Sequence, residues 1–537
     1  MSSLPYLFTE NGRTALIVDD QPFLILGGEL HNSSGSDLRY LEEKVWPGLR
    51  NLGGNCYLTP VYWECMEPEK DQYDFTLVDG IIGQARREGV RLILLWFGLW
   101  KNGKSEYIPR WMKNDPAYFY MQDEKGTLLE SVSPFCQGAI ERDRIAFTRL
   151  MAHLKETDDL HTVIMMQVEN EIGVWGHERD HSPAASAVFA ESIPQEMAEL
   201  FETDGTWEKA FGEKACEYFM AWAFSSAVGK ISGSGAAVHP LPFFMNCVAI
   251  GLPLPVGQHP SGEPLPRVHK IWRRFAPQIA LYGPDIYSPF YHEVCDEFAQ
   301  ANALFIPEMG QDINTASKAL YTVAAYNTIC FSPFGIDGMM TPLSENDLLS
   351  QMNTDLVFSP PEAGIMLAEA YRILRLLWAD IRAAQEKGDC FAFLEQKTSD
   401  PSHDVSGADF ECDDVSFHVT FGAEGLTGFM GQSGHRKDDR PLGGGFILRT
   451  GLNEYLLCGI AFNLLIDSLR EDQQVFIERK QEFRLQGNEL MPGRILNGDE
   501  RNFTAIGCWP SVQKIRLYKR QISKARERRQ GCETEVE

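Results

Sequence analysis

The sequence predicts a (β/α)₈ barrel followed by an antiparallel β-sandwich domain. Between residue 22 and about residue 385, eight short apolar runs alternate with stretches of helical periodicity, which is the pattern of repeated βα units. The first turn after a strand reads Glu29-Leu30-His31-Asn32. The alternative, a doubly wound sheet, more often has a glycine-rich turn at that point. After Lys387 the runs shorten and alternate apolar with polar residues, as antiparallel strands do.

The eight barrel strands are predicted from apolar runs that end in polar or small residues, because strands buried on both faces are nearly continuous in hydrophobicity. Helical spacing between them predicts the intervening helices, with Gly89 as the stop of the second. An insertion at 176–205 is rich in Ala, Ser, Pro and Glu. The predicted strands are 23–26, 56–64, 91–98, 163–171, 242–247, 279–287, 303–308 and 329–334, and the main predicted helices are 38–52, 77–87, 142–156, 207–229 and 361–387.

Three regions follow from this pattern. Residues 1–388 are predicted to form the catalytic barrel, and residues 389–520 the β-sandwich domain. Residues 521–537 are highly charged, and we expect them to be a disordered tail.

Composition restricts the class of partner. The formal net charge is −26, from 49 basic and 75 acidic residues, which argues against nucleic acid or an anionic membrane as the main partner. The first residues lack the basic and apolar segments of a signal peptide, and no apolar stretch reaches the length of a membrane span. We therefore expect a cytoplasmic protein that acts on a neutral substrate, which the composition does not identify. Whether it forms a homo-oligomer stays open.

Two glutamates at strand ends are the most informative feature of the chain. The fourth predicted strand ends in Gln167-Val168-Glu169-Asn170-Glu171, and the seventh ends in Pro307-Glu308. Strand ends of this kind face each other across the mouth of a barrel. Paired carboxylates there indicate glycosidic bond hydrolysis, with one acid/base and one nucleophile, and a separation of about 5–5.5 Å would mean retention of configuration.

Several other side chains are candidates for binding a sugar. Asn170 is placed to hold the 2-hydroxyl group, and Tyr287, at the end of strand six, could orient Glu308. Aromatic faces stack on pyranose rings, although core packing is an equally good explanation for any single tryptophan, and an ion pair is an alternative for the charged candidates. Trp100 is the favoured aromatic. The candidates are Asn170, Glu169, Trp63, Glu64, Trp100, Lys101, Asn102 and Tyr287, with Trp96, Trp111 and Trp175 as further tryptophans near predicted strand ends or loops.

No cofactor and no metal are predicted. His177 and His181 have the spacing of two metal ligands on a helix, but a third ligand is not evident and a solvated loop explains them better. The glycine run at 443–445 lacks the following Lys-Ser/Thr of a phosphate-binding loop.

The segment Gln167 to Gly173 resembles the acid/base motif of family 35 glycoside hydrolases, the β-galactosidase family of clan A. The resemblance implies that Glu171 is the acid/base and that Asn170 binds the 2-hydroxyl group. Phe305-Ile306-Pro307-Glu308 resembles the end of strand seven in that clan, which implies that Glu308 is the nucleophile.

Further segments resemble a bacterial branch of the family that carries a C-terminal β-domain. They follow the expected order over residues 22–340, and the main departures lie after strands two and three. Better-known members have Trp-Asn-x-His-Glu-Pro and Ala-Glu-Trp there, where this chain has Trp63-Glu-Cys-Met-Glu-Pro68 and Gly98-Leu-Trp-Lys-Asn102. The matching segments are 60–64, 67–68, 94–98, 100–103, 284–287 and 331–337.

The resemblance implies a retaining exo-β-glycosidase, with β-galactosidase as the first expectation, that releases terminal galactose from oligosaccharides. The departures put the sugar in question more than the reaction. The alternatives are a β-glycosidase or transglycosylase of other sugar specificity, such as β-glucosyl, and a catalytically inactive sugar-binding barrel. A metal-dependent barrel hydrolase would need His and Asp ligands at several strand ends, which the sequence does not present.

Overall fold

The computed structural model describes residues 3–340, 361–421, 440–487, 489–498 and 506–522. Almost all of the predicted tail, from residue 523 onward, lies outside the described residues. The chain divides into two compact units. One comprises Met1–Tyr371 with Gln396–His403, and the other comprises Arg372–Glu395 with Asp404–Glu537.

The first unit contains a closed parallel barrel, which confirms the predicted fold class. Each strand pairs in parallel with its neighbours, and the first pairs with the last through Ile25 and Cys330. The barrel strands are β1 (Ile25–Glu29), β2 (Cys56–Tyr62), β3 (Arg91–Lys101), β4 (Val163–Asn170), β5 (Phe243–Ala249), β6 (Ile279–Ile286), β7 (Leu304–Ile306 and Glu308–Met309) and β8 (Thr328–Phe331).

Strand β7 is interrupted at Pro307, which has no backbone N–H group to donate to a ladder. Its first half pairs with β8, through Phe305 and Cys330, and its second half pairs with β6, through Glu308 and Asp285. The barrel therefore closes through one segment that changes partner at the proline. This change places Glu308 beside Asp285 at the carboxyl end of β6.

Apolar side chains from the barrel strands and the adjoining N-terminal strands form one continuous core in the first unit. Phe244 and Phe305 pack with their ring centroids 4.5 Å apart. This core lies along the strands and leaves their carboxyl ends free for polar groups. Its members include Ile25, Leu58, Ile93, Leu95, Met165, Phe244, Leu281, Phe305 and Ile329, each no more than 2% exposed.

The helices follow the strands as predicted, and the last helix has the predicted bounds. Gly89 ends its helix with φ of 70°, a left-handed conformation that glycine adopts without strain. The long helix after β4 is preceded by separate short helical pieces, and the insertion at 176–205 contains helices of its own. The helices are Leu38–Tyr40, Trp46–Leu52, Trp63–Met66, Thr76–Glu88, Arg110–Lys113, Gln137–Thr157, Pro183–Ala190, Gln195–Phe201, Trp207–Phe211, Ala215–Val238, His269–Phe275, Tyr291–Ala301, Thr315–Ala325, Ile336–Met339 and Pro361–Lys387, with a π-helical stretch at Leu41–Val45 and 3₁₀ turns at Ser34–Ser36, Gly212–Lys214, Pro266–Val268 and Pro401–His403.

Two small antiparallel sheets were not predicted. The first precedes the barrel and begins with a hairpin whose turn residues, Asn11 and Gly12, have φ of 51° and 75°. Positive φ at both residues is the signature of a two-residue hairpin turn. The strands are Tyr6–Glu10, Arg13–Val18 and Gln21–Phe23 in the first sheet, and Tyr120–Gln122 and Leu128–Val132 in the second.

The second unit has two antiparallel sheets that share one hydrophobic core, as predicted for a β-sandwich. Phe417 of the smaller sheet contacts Tyr455 of the larger, with ring centroids 4.8 Å apart. The larger sheet has the order Cys390–Leu394, Gly444–Gly451, Glu454–Ile460, Ser511–Gln521, Gln473–Gln486 and Glu489–Leu496, and the smaller has the order Gly407–Cys412, Val415–Phe421 and Phe462–Ser468.

Among the described residues, we find no helix long and apolar enough to cross a membrane.

Candidate active site

Three carboxyl groups meet at the carboxyl ends of the barrel strands. Glu171 directly follows β4, Asp285 lies near the end of β6, and Glu308 lies in the second half of β7. One oxygen of each lies within 4.8 Å of the others, and all three residues are buried. Carboxyl groups this close cannot all be ionised without strong repulsion, so they must share protons.

The backbone holds Glu171 in an uncommon conformation. Its φ is 43° and that of Glu169 is 63°, values that are rare for residues other than glycine and that occur at functional sites. The Glu171 amide donates to Asn246 Oδ1 at 3.0 Å, and its carbonyl accepts from the Gly103 amide at 3.1 Å and from Trp175 Nε1 at 3.3 Å. These bonds fix the turn that aims the Glu171 side chain into the barrel mouth.

The environment of Glu171 favours its protonated form. Burial raises its pKa, and the nearby charge of Glu308 adds to the effect, whereas the Lys101 ammonium and a hydrogen bond from Asp285 act in the opposite direction; the result is a pKa of about 7. At neutral pH the group can therefore both donate and accept a proton, which is what a general acid/base requires.

Asp285 and Asn246 link the carboxyl groups. Asn246 Nδ2 donates to Asp285 Oδ2 at 2.7 Å, while the same amide accepts from the Glu171 backbone. Burial raises the pKa of Asp285 well above its ordinary value, and the charge of Glu308 raises it further. Asp285 can therefore donate a hydrogen bond to Glu171. The polar residue inside the apolar run 243–247 was the only signal for Asn246 in the sequence, and Asp285 lay inside a segment quoted for its resemblance alone.

Glu308 has one oxygen held and one unpaired. Tyr287 donates its hydroxyl proton to Glu308 Oε1 at 2.5 Å. Burial raises the pKa of the Tyr287 phenol, and the charge of Glu308 raises it further, so the phenol stays a donor. Glu308 Oε2 is buried and has no hydrogen-bond partner among the described residues. The geometry leaves that oxygen available to an approaching electrophile.

Lys101 is the cation of the site. Its ammonium donates to Asn170 Oδ1 at 2.8 Å and lies 5.1 Å from the ring centroid of Phe97. Burial lowers its pKa, but the charges of Glu308 and Glu171 outweigh that effect and raise it. Lys101 is therefore charged, and it holds the Asn170 amide with Nδ2 unpaired among the described residues.

Glu29, at the end of β1, completes the cluster and was not predicted. It is fully buried, and neither of its carboxyl oxygens has a hydrogen-bond partner in the described part of the chain. Burial raises its pKa well above the ordinary value, and the charge of Glu308 is the next largest cause. The sequence offered one signal, since Glu29 ends an apolar run as Glu171 and Glu308 do.

The same three carboxyl groups have the oxygen atoms that a hard cation such as Mg²⁺ or Ca²⁺ takes as ligands. A cation there would have to displace protons, because burial raises the pKa of both Glu171 and Asp285. It would also meet the charge of Lys101. The cluster is better matched to proton transfer than to metal binding.

Part of the chain matches a known family of proteins. Residues 15–227 match the family model described as glycosyl hydrolases family 35, and this stretch includes β1 to β4 and Glu171. Residues 367–506 match a domain of unknown function, DUF5597. A search of the curated proteins finds no match.

The chain is also similar to several solved structures. The β-galactosidase from Bacillus circulans sp. alkalophilus is 14% identical, with 67% of this chain and 57% of that chain covered and a TM-score of 0.46. The β-galactosidase from the psychrophilic Marinomonas ef1 is 12% identical, with 67% and 60% covered and a TM-score of 0.47. The catalytic domain of the Paenibacillus polymyxa β-amylase is 12% identical, with 59% and 94% covered and a TM-score of 0.44. The chain spans less than two thirds of the length of these two β-galactosidases.

The structure does not bring two of the predicted aromatic residues into the cluster of carboxyl groups. Trp63 and Trp100 are fully buried: Trp63 Nε1 donates to Glu67 Oε2 at 2.8 Å, and Trp100 Nε1 donates to the Val132 carbonyl at 2.9 Å. Both are core residues, because their indole nitrogens already have partners inside the protein. Trp175, which is 41% exposed and bonded to the Glu171 carbonyl, lies beside the site.

Three other predicted residues lie outside the cluster. Glu169 is fully buried, and its Oε2 accepts from the Trp100 amide at 2.7 Å. Glu64 is exposed and forms an ion pair with Lys113 at 3.1 Å. Asn102 is exposed in a turn with φ of 52°. Of the predicted residues, the cluster contains Glu171, Glu308, Asn170, Lys101 and Tyr287.

Proposed function

We propose that the protein is a retaining exo-β-glycosidase, with Glu171 as acid/base and Glu308 as nucleophile. The observation that carries the proposal is the approach of the two carboxyl groups to within 4.8 Å at the ends of β4 and β7. Separations of about 5 Å leave no room for a water molecule between carboxylate and sugar, as an inverting reaction would require.

In the first step, Glu308 Oε2 attacks the anomeric carbon. The glycosidic C–O bond breaks, and Glu171 gives its proton to the leaving oxygen. The Tyr287 hydroxyl, bonded to Glu308 Oε1, keeps the attacking oxygen aimed at the sugar. The product is a glycosyl ester on Glu308 and a free alcohol.

In the second step, ionised Glu171 takes a proton from water, and the water oxygen attacks the anomeric carbon. The ester bond breaks and Glu308 returns as a carboxylate. Asn170 Nδ2, unpaired and held by Lys101, is available to the 2-hydroxyl group as positive charge develops on the ring. The pKa of about 7 at Glu171 suits a group that must act first as an acid and then as a base.

We propose galactose as the sugar, because the family 35 match and the motif around Glu171 favour a β-galactosidase. Another β-linked sugar remains the alternative, since the segments after strands two and three depart from the better-known pattern of the family.

Hydrolysis of a panel of nitrophenyl β-glycosides tests the proposal, run on the wild-type chain, Glu171→Ala and Glu308→Ala. Glu156→Ala, which removes an exposed carboxylate from the helix Gln137–Thr157, is the control and should keep wild-type activity. We expect the β-galactoside to be cleaved fastest, and NMR of the first product to show the β-anomer.

Azide added to Glu308→Ala should restore turnover and give the inverted glycosyl azide, whereas azide added to Glu171→Ala should give the retained one. If Glu308→Ala keeps full activity, or the first product is the α-anomer, the assignment of these residues is wrong. If another sugar is cleaved faster, the chemistry stands and the substrate changes.

A further inference from the structure

Glu29 is the most poorly satisfied carboxyl group of the site. Both of its oxygens are buried and have no hydrogen-bond partner among the residues that the structure describes. Leaving a buried polar atom without a partner destabilises the folded protein, and leaving a charged group without one destabilises it more. An unpaired carboxyl group that destabilises the protein without its ligand is best explained by a ligand that supplies the missing hydrogen-bond donors.

The fold places Glu29 one segment away from Glu308, close enough for the charge of Glu308 to act on it. The Glu29 amide donates to the Pro333 carbonyl at 2.9 Å, and Glu29 pairs with Phe334 in a parallel bridge. The Phe334 amide in turn donates to the Met309 carbonyl at 2.8 Å. Three segments thus lie side by side, and Glu29 and Glu308 belong to the outer two.

Lys101 approaches the same space from β3. It is fixed on Asn170, the residue before Glu171, and it interacts electrostatically with Glu29, Glu171 and Glu308. Glu29 therefore contributes two unpaired carboxyl oxygens and Lys101 a cationic donor to the same cluster.

We propose that Glu29 is a specificity-determining residue that, opposite Lys101, accepts hydrogen bonds from ring hydroxyl groups of the sugar whose anomeric carbon meets Glu308. This inference rests on the proposed function. Adjacent hydroxyl groups are both donors and acceptors, so they match a carboxylate beside an ammonium. Two unpaired carboxyl oxygens call for two donors, which a pair of neighbouring hydroxyl groups provides.

The charge of the site restricts the class of sugar that can bind. Four buried acidic groups, namely Glu29, Glu171, Asp285 and Glu308, surround the single ammonium of Lys101. A sugar that carries its own carboxylate would add a further negative charge at close range to groups that already cannot all be ionised. We therefore infer a neutral sugar with free hydroxyl groups, and not a uronic acid.

Deoxy sugars test the inference directly. We would measure kcat/KM for nitrophenyl β-galactosides that lack the 2-, 3-, 4- or 6-hydroxyl group, on the wild-type chain, Glu29→Gln and Glu29→Ala. Sites built to bind a hydroxyl group reject the analogue without it by about 10⁴–10⁵-fold. We expect a large penalty for at least one of the 3-, 4- and 6-deoxy substrates in the wild type. In Glu29→Ala that penalty should shrink to about tenfold or less, while the 2-deoxy penalty, assigned to Asn170, stays unchanged.

Glu67→Gln is the matched control. Glu67 is as deeply buried as Glu29 but is fully bonded, to Trp63, the Asp71 amide and Arg142. Its substitution should leave the pattern of deoxy penalties as in the wild type, whatever it does to stability. If Glu29→Ala does not fold, Glu29→Gln keeps the shape and should still reduce the same penalty by at least tenfold.

A deoxy pattern in the Glu29 variants identical to that of the wild type would overturn the inference. That result is distinct from failure of the proposed function, which would show as retained activity in Glu308→Ala. Faster cleavage of a β-glucuronide than of the neutral β-galactoside by the wild type would overturn the charge argument alone.

Discussion

Glu171 combines a buried carboxyl group with a backbone turn that few residues other than glycine adopt. Because the first step needs Glu171 protonated, kcat/KM should fall as the pH rises through about 7, the value to which burial raises its pKa. The positive charge of Lys101 lowers that pKa, so Lys101→Met should move the alkaline limb to higher pH. A pH–rate profile of both proteins checks the direction, and a limb that moves to lower pH would contradict it.

Tyr287 is expected to act through Glu308. Removing its hydroxyl in Tyr287→Phe loses a hydrogen bond to a carboxylate, which is worth about 1.5–3 kcal/mol, so kcat should fall about 10–100-fold. Steady-state kinetics of the variant measures the loss.

The control for this change is Tyr291→Phe. The Tyr291 hydroxyl is buried against Thr322 Oγ1 at 2.7 Å, inside the helical layer, so its removal should reduce stability and leave kcat unchanged. A similar fall of kcat in both variants would mean that Tyr287 acts only by packing.

Among single residues, the sequence predicted the two glutamates whose matched positions at strand ends indicated one site, and it did not predict Glu29. Glu171 and Glu308 each end an apolar run, and their matched positions indicated a common site. Glu29 also ends an apolar run, but nothing in the sequence indicated that the end of β1 belongs to the same site. Trp100 was favoured because it neighbours Lys101, yet adjacent residues on a strand point to opposite faces, and only Lys101 reaches the cluster.

Among the elements, the packing of β3 requires a glycine at position 98. A Cβ atom at Gly98 would lie 2.4 Å from Trp96 Nε1, 2.6 Å from Asp143 Oδ2 and 2.7 Å from Glu169 Oε1. All three groups are buried. Trp96 and Asp143 are bonded to each other and Glu169 is held through its other oxygen, so they cannot move aside easily. Gly98→Ala should therefore reduce the free energy of unfolding by about 1–3 kcal/mol, measured by chemical denaturation.

Gly83→Ala is the comparison for that variant. Gly83 lies in the helix Thr76–Glu88, and a Cβ atom there would meet nothing closer than Arg87 Nη1 at 4.0 Å. Alanine should stabilise the helix by about 0.5–1 kcal/mol. Equal effects of the two substitutions would show that the pocket behind Gly98 relaxes.

Elements with a strong period were predicted well, and those defined by a few residues were not. The helix Pro361–Lys387 was predicted at its observed bounds because its periodicity extends over seven turns. The hairpin at Asn11-Gly12 was missed although its turn residues are the strongest short-range signal for one. The break in β7 could not be read from the sequence, because Pro307 alone does not say which neighbour each half pairs with.

For the whole molecule, the two compact units are not continuous in sequence. Residues 396–403 belong to the barrel unit, although they follow a strand of the other unit. Gln396 is almost fully buried and bonds to the His292 amide at 2.9 Å and to Glu293 Oε2 at 3.0 Å. The proposed boundary at residue 388 would remove this segment from the barrel.

Gln396→Ala should therefore loosen the helix Tyr291–Ala301, because it removes the acceptor of the His292 amide and a donor to Glu293 Oε2, at about 1–3 kcal/mol. Hydrogen exchange of peptides that cover residues 291–301 should become faster by a factor of ten or more. Gln195→Ala removes an exposed amide bonded to Glu199 and should leave exchange in that helix unchanged. Unchanged exchange in Gln396→Ala would mean that the segment contributes nothing to the barrel.

The closure of the barrel through Ile25 and Cys330 also bears on biosynthesis. The first strand leaves the ribosome about 300 residues before its closing partner, and at about 5–20 residues per second it waits on the order of 15–60 s. During that time its backbone groups on one side have no permanent neighbour, and the apolar residues beside them are exposed to other nascent chains. Translation speed and chaperone supply should therefore affect the yield of this protein more than the stability of the finished barrel does.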